Sequence, residues 1–440
     1  MIVDWWQILL LIFFSLLALM ILRVPVAFSF LAINIVAAIF LWGGEVGLRQ
    51  LMGSIESSLA TFALAPIPLF ILMGEIMFHT GIAPRMIDTL DKWFGKVPGR
   101  LSLLAVTGGT LISTLTGSTM ASTSMLGSTL VPEMERRQYK NQMSIGPILG
   151  SGTLAALIPP SALGVLLASM GQISIGAFMI AIILPGVLMA ILFGLYIIIR
   201  AKLQPELAPH YDVASIPFSE KIKATVVYIF PLSLIIFLVV GLMFLGVATP
   251  TEAAAMGSIG SLLLAAYYKQ LNFHTLKLAL IGTLKISAMM LMIIAGSTGF
   301  SQILSFSGAT SELVRMIASL DVSVTLLVIG MLLIVLVLGS FMESLSILMV
   351  CLPIFIPIAN TLGIDLLWFA AMLLITIEIG TISPPFGTGL FVMKAVAPKG
   401  VKMGQVYAAA FPFICLDLLL VAIIMIFPQI ATWLPTLMRT

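Results

Sequence analysis

Apolar runs of about 20 residues recur along this chain, the length a helix needs to cross the hydrocarbon core of a bilayer. In lipid every backbone N–H and C=O must be satisfied internally, so a chain built this way folds as a bundle of membrane helices. Two apolar stretches, 101–132 and 322–358, do not fit. At roughly 35 residues each they are too short for two spans plus a turn and too long for one. Each breaks near its middle at a Gly-Ser pair, Gly117-Ser118 and Gly339-Ser340. Both read as re-entrant hairpins that enter and leave on the same face.

The 440 residues are 60% hydrophobic and only 9% charged, with a mean hydropathy of +1.19. That is the composition of an all-α polytopic membrane protein. No polar segment exceeds roughly 25 residues, which leaves no room for a soluble domain. Cys351 and Cys415 lie in apolar runs without metal-ligand spacing and read as inert core thiols. Residues 5–22 follow Asp4 with no basic segment before them, so they read as a retained first helix and not as a signal peptide.

Full crossings are expected at 5–22, 26–42, 62–79, 143–170 and 175–199. A second set is expected at 224–245, 253–268, 284–306, 366–393 and 406–427, and a hairpin sits between the third and fourth span of each set. This arrangement puts 18 of the 21 Lys and Arg on one face and leaves Arg49, Arg315 and Arg439 on the other. The positive-inside rule makes the basic face cytoplasmic and both termini external. Counting the first hairpin as a crossing would move Arg136, Arg137 and Lys140 outside and scramble the balance.

Landmarks recur in the same order in the two halves, the first two pairs below at an offset of 222 residues and the Gly-Thr and Pro-Pro pair after a six-residue insertion. Ile71-Leu72-Met73-Gly74 corresponds to Ile293-Ile294-Ala295-Gly296, and Gly117-Ser118 to Gly339-Ser340. Arg23-Val24-Pro25 corresponds to Ala248-Thr249-Pro250. Gly152-Thr153 with Pro159-Pro160 returns as Gly380-Thr381 with Pro384-Pro385. Five crossings per unit is an odd number, so the second unit must be inverted, the signature of secondary transporters. The units are 1–200 and 224–440, joined by a polar linker at 201–223. In the first, scaffold helices at 5–80 precede the hairpin at 101–132 and a broken helix at 143–170; in the second they lie at 224–306, before 322–358 and 366–393. Segments 82–96 and 308–318 read either as interfacial amphipathic helices or as solvated loops.

The breaks carry the candidate chemistry. Around Ser118, Thr119, Ser122 and Thr123, and again at Gly150-Ser151-Gly152-Thr153, small hydroxyl residues lie beside unwound carbonyls. Hard cations such as Na⁺ take oxygen ligands of this kind, while helix N-termini at the same breaks suit an anion. The competing reading is close helix packing by small residues. Ionisable residues within apolar runs are costly and mark functional candidates: Glu75, His79, Glu343, Glu378 and Asp417, of which Glu343 and Glu378 flank the second unit's breaks. His79 reads as interfacial. Thr249-Pro250-Thr251-Glu252 matches a helix start with a capping box. Three scattered histidines, and no nucleotide loop, metal cluster or nucleophile motif, argue against an enzyme or an ATP-driven pump.

Pro66-x-Pro68-Leu69-Phe70-Ile71-Leu72-Met73-Gly74, Gly152-Thr153-x5-Ile158-Pro159-Pro160-Ser161, Pro250-Thr251-Glu252-Ala253 and Pro384-Pro385-Phe386-Gly387 together resemble the large membrane subunit of tripartite ATP-independent periplasmic (TRAP) transporters. The resemblance spans essentially the whole chain. It implies an elevator-type, Na⁺-coupled importer of an organic anion in a bacterial inner membrane. The implied partners are a small four-helix membrane subunit and a periplasmic substrate-binding protein, with no nucleic acid. Carried over by position, one Na⁺ site falls between Gly117-Ser118 and Gly152-Thr153, the other between Gly339-Ser340 and Gly380-Thr381. Substrate contacts are expected from Ser118, Thr119, Ser122, Pro159, Pro160, Ser340, Glu343, Pro384 and Pro385. At Phe341-Met342-Glu343-Ser344 the chain departs from the family, many members of which carry Asp and Asn there. The alternatives are a stand-alone anion permease or antiporter with Glu343 and Glu378 as proton carriers, and a scaffold subunit without transport of its own.

Overall fold

The computed structural model describes residues 4–22, 24–116, 118–209, 216–319 and 322–438, all helix and connecting turns with no strand among them. Gly117, Arg23, His210 and Arg439 fall outside the described residues. Among the described residues, six helices are long and apolar enough to cross a membrane: Phe62–His79, Ile175–Leu203, Phe218–Phe244, Phe273–Phe306, Ser344–Thr361 and Met403–Ile426. The molecule is a polytopic α-helical membrane protein.

Each half begins with helices that pack across to the other half. In the first these are Trp5–Ile21, Val26–Leu41 and Pro66–His79; in the second, Phe230–Phe244, Pro250–Tyr267 and Phe273–Phe306. Val26–Leu41 lies against Phe273–Phe306, and Pro250–Tyr267 lies against Pro66–His79. Lipid offers no hydrophobic drive to bring helices together, so close packing and hydrogen bonds have to do it. Both crossings use the same device. The Asn34 amide donates to the Gly296 carbonyl at 2.7 Å, and the Ser258 hydroxyl donates to the Leu69 carbonyl at 2.7 Å. A β-carbon on Gly296 would stand 2.5 Å from that of Phe30, so only glycine lets these two helices meet. Pro250–Tyr267 starts as its sequence dictates, with Thr249 and Glu252 in a reciprocal capping box.

Several expectations need correction. The stretch between the second and third spans, for which the sequence predicts no element, is the helix Glu45–Leu59. Its equivalent in the second half is continuous with the third span, so the expected 284–306 crossing is one helix of 34 residues, Phe273–Phe306. Pro66 and Pro68 give the difference, because a proline lacks the N–H that would carry a helix through. The linker already turns helical at Phe218. Cys351 is buried, but Cys415 is exposed and is not a core thiol. The two ambiguous segments are helices, Ile82–Phe94 and Ala309–Ser319. Each follows a glycine with positive φ, Gly81 at 64° and Gly308 at 74°, where a Cβ would be strained. The first is anchored to the start of the second half by the Trp93 indole donating to Thr225 at 2.8 Å, and to the linker by Lys92 with Glu220 at 3.0 Å.

The hairpins are Arg100–Thr116 with Thr119–Arg136, and Val324–Gly339 with Ser344–Thr361. The helices after them are broken, Asn141–Thr153 from Ala162–Met170 and Leu366–Ile382 from Thr388–Val396. Hairpins and broken helices pack on one another around a fully buried centre.

Replacing Gly296 by alanine forces Phe30 or the backbone to shift. We expect a loss of about 1–3 kcal/mol, the usual cost of overpacking, read as a lower melting temperature of the purified protein. An unchanged melt would show that this crossing is not tightly packed.

Candidate functional site

Four helices begin at the breaks, and all four starts line one cavity of about 260 Å³. Ser118 caps Thr119–Arg136, its hydroxyl accepting from the Ala121 N–H at 3.3 Å. Ser161 caps Ala162–Met170 in the same way, accepting from the Gly164 N–H at 3.0 Å. Glu343 precedes Ser344–Thr361, and Gly387 precedes Thr388–Val396. Ser118, Thr119, Ala162, Ser344 and Thr388 all line the cavity. Its far wall comes from the third helices of the two halves, through Glu75 and Phe78 and through Ile286, Met289 and Met290. Unsatisfied N–H groups and positive dipole ends converge here, an arrangement suited to an anion.

Glu378 joins the two hairpins. It is fully buried on Leu366–Ile382; one carboxylate oxygen accepts from the Thr119 hydroxyl at 2.7 Å and the other from Ser344 at 3.3 Å. Both donors are the first residues of their helices, so the carboxylate lies at two helix N-termini at once. Glu75 faces the same cavity and pairs with His79 at 3.2 Å.

The second Gly-Ser break is in backbone contact with the broken helix. A β-carbon on Gly380 would stand 2.5 Å from the Gly339 Cα, and one on Gly339 2.6 Å from the Gly380 Cα. The Phe386 N–H donates to the Ser340 carbonyl at 3.1 Å, and the Phe341 and Phe386 rings lie 5.7 Å apart. In the first unit Gly152 serves the same purpose, since a β-carbon there would meet the Thr123 hydroxyl at 2.7 Å. The Ser113 hydroxyl donates to Ser122 at 3.0 Å and lies 3.3 Å from the Ser151 carbonyl.

Of the residues expected to contact substrate, Ser118, Thr119 and Glu343 line the cavity. The others stand back from it. Ser122 is buried against Ser113, and Ser340 turns to the Leu336 carbonyl of its own helix at 3.3 Å. Pro159 and Pro160 are buried below the Ala162 helix start, whereas Pro384 and Pro385 are exposed; Tyr407 donates to the Pro385 carbonyl at 2.7 Å. Both Pro-Pro bonds are cis.

Among the residues expected to hold Na⁺, Gly117 lies outside the described residues. Thr153 spends its hydroxyl on the Gly150 carbonyl at 2.8 Å and Thr381 on the Glu378 carbonyl at 2.7 Å, which leaves their lone pairs free to accept. The donor set is hydroxyls and helix-end carbonyls, hard oxygens that fit an alkali cation. Four buried hydroxyl oxygens have no hydrogen-bond partner among the described residues: Ser261 and Ser287 on the scaffold helices, Thr123 beside Gly152, and Thr388 at the start of the helix after the second Pro-Pro turn. Thr123 belongs to the hydroxyl cluster read from the sequence at the first break; Thr388 was not singled out there, where nothing separates it from other threonines.

Residues 13–430 match the family model described as "Tripartite ATP-independent periplasmic transporter, DctM component". The chain is 30% identical over 377 residues to the C4-dicarboxylate TRAP transporter large permease protein DctM of Pseudomonas aeruginosa, covering 85% of this chain and 86% of that protein. It is 26% identical to the ectoine TRAP transporter large permease protein TeaC of Halomonas elongata, covering 96% and 97%. In fold it is similar to the crystal structure of the Alcanivorax borkumensis YdaH transporter, with a TM-score of 0.62 at 15% identity over 90% of this chain and 91% of that one. The relatives are transporter permeases, in keeping with the absence of enzyme motifs from the sequence.

Substituting Gly380 by alanine sets a methyl against the Gly339 backbone, which has no side chain to swing aside. The hairpin tip must then lift off the broken helix. We expect folded protein with transport reduced at least about tenfold, about 1.4 kcal/mol or more, measured as uptake into vesicles. Normal uptake would mean that this contact has no part in the site.

Proposed function

The chain belongs to the DctM component family of tripartite ATP-independent periplasmic transporters, and from that membership we propose that it is the Na⁺-coupled, elevator-type subunit importing an organic anion. The convergence of four helix N-termini on one cavity carries this reading. An anion there is met by backbone N–H groups and by the hydroxyls of Ser118, Thr119, Ser344 and Thr388. A carboxylate is the class we assign; the relatives' names range from C4-dicarboxylates to ectoine, so membership alone does not choose among anions.

Glu75, Glu343 and Glu378 share the cavity wall, and an anion beside them needs compensating positive charge. Na⁺ supplies that charge when bound. We assign one site to Ser118, Thr123, Gly152 and Thr153, and a second to Gly339, Ser340, Gly380, Thr381 and Thr388. The orphaned Thr123 and Thr388 oxygens support this.

The two halves, 1–200 and 224–440, are inverted repeats in this reading. The shared element order and the paired Asn34 and Ser258 crossings support it. The first three helices of each half form the scaffold, and the hairpins and broken helices move past them as one block. Internal ties such as Thr119–Glu378–Ser344 and Phe386–Ser340 support a unitary block. The distribution of Lys and Arg orients the chain in the bacterial inner membrane with both termini periplasmic. A soluble periplasmic protein delivers the substrate, and a small four-helix membrane subunit completes the transporter.

The test is uptake of candidate organic anions by vesicles holding this chain and the small subunit. We expect uptake that requires both an inward Na⁺ gradient and the soluble protein. Uptake that follows a proton gradient and needs neither would overturn the proposal. Thr123→Val keeps the shape and removes one oxygen; the Na⁺ concentration for half-maximal uptake should rise about tenfold, about 1.4 kcal/mol, with the melting temperature held.

A further inference from the structure

Scaffold and block enclose a second cavity, of about 760 Å³, within the range of ligand pockets. One wall is scaffold, with Thr61, Thr298, Ser301 and Gln302. The other is block, with Ser169, Gln172 and Asn360 at the far ends of Ala162–Met170 and Ser344–Thr361. Among the described residues no charged side chain lines it.

The two cavities lie along one interface. Phe273–Phe306 presents Ile286, Met289 and Met290 to the first and Thr298, Ser301 and Gln302 to the second, the same spacing repeated twelve residues on. At 1.5 Å per residue the two levels stand about 18 Å apart. Ser344–Thr361 runs the same way, with Ser344 and Leu345 at the first cavity and Leu352, Ile356 and Asn360 at the second. Between the levels the Ser297 hydroxyl donates to the Met349 carbonyl at 2.8 Å, tying scaffold to block. With the termini periplasmic, Ala63 and Leu64 mark the outer side of Pro66–His79, and Glu75 and Phe78 its cytoplasmic end. The first cavity is therefore at the inner level and the second at the outer.

The scaffold wall changes character between the levels. At the inner one it offers an anion Phe78, Ile286, Met289 and Met290, which form no strong hydrogen bonds, and the Glu75 carboxylate. At the outer one it offers donors. The Thr298 and Ser301 side chains make no hydrogen bond among the described residues. The Gln302 carbonyl oxygen accepts from the Ser54 hydroxyl, which leaves its NH₂ group to donate.

We propose that Thr298, Ser301 and Gln302 bind substrate: they form the scaffold wall of the anion site when the block stands at the outer level, and donate to the substrate's carboxylate. This rests on the elevator reading and adds an asymmetry to it. The anion is held more tightly at the outer level, where it is captured, than at the inner one, where it is released. The Ser297–Met349 bond breaks as the block travels.

The test has two arms, both on the chain with the small subunit. In the first, Cys351→Ala and Cys415→Ser remove the native thiols, and mercuric ion is the cross-linker in membranes. Leu345→Cys with Met289→Cys should cross-link in the position described here, and Leu345→Cys with Ser301→Cys when the block has risen. Absence of the second cross-link overturns the elevator reading and this inference with it. The second arm is vesicle uptake, with the carboxylate that wild type takes up best from a panel including succinate. Thr298→Val and Ser301→Ala should each raise the half-saturating concentration of loaded soluble protein about three- to tenfold, the worth of one hydrogen bond. Gln302→Glu, which keeps the acceptor for Ser54 but replaces the donor by a like charge, should raise it further. Maximal rate and melting temperature should hold, and Thr298→Ser should keep the wild-type value. Asn360→Ala, on the block wall of the same cavity, should change nothing. If the second cross-link forms but the three scaffold variants saturate like wild type, this inference falls and the elevator reading stands. An equal rise in Asn360→Ala also overturns it, since the cavity would then be a docking surface for the soluble protein.

Discussion

A single buried carboxylate joins parts of the chain that lie half its length apart. Glu378 takes one hydroxyl from each hairpin, Thr119 and Ser344. A buried polar group left without its hydrogen-bond partners costs about 1–3 kcal/mol. The two hairpin tips therefore cannot drift apart while the carboxylate stays buried. Their helix starts, and those of the two broken helices, are held around one cavity as a consequence.

Glycine provides the proximity that this arrangement requires. Gly339 and Gly380 meet backbone to backbone, Gly146 and Gly150 receive the last long helix, and Gly296 receives Phe30. Without a hydrophobic force between helices in lipid, this contact and a few side-chain-to-carbonyl hydrogen bonds are what hold the bundle together. The price is rigidity at the breaks, where the addition of one methyl has nowhere to go.

Much of this was legible in the residues. The Gly-Ser pairs marked where the two odd apolar stretches break, since helices end at Thr116 and Gly339. The Thr249 capping box formed as its four residues require. The Glu45–Leu59 helix was not legible, because its polar face, with Glu45, Arg49, Gln50 and Glu56, looks like a loop beside spans that are apolar all round. The proline pairs drew attention as site residues, yet they shape the turns and leave the lining to the helix starts that follow them.

The sequence by itself determined the class, the helix breaks at the Gly-Ser pairs and the family resemblance. All of these follow from local length, period and motif, which a chain carries whatever it packs against. Only the tertiary structure decided which side chains meet. Thr119 and Glu378 are 259 residues apart, and nothing in either neighbourhood announces the other. The same holds for Asp417, which in sequence is one acid in an apolar helix. Its burial and its lack of a hydrogen-bond partner among the described residues arise only when the helices pack, because burial and pairing are properties of the assembled interior.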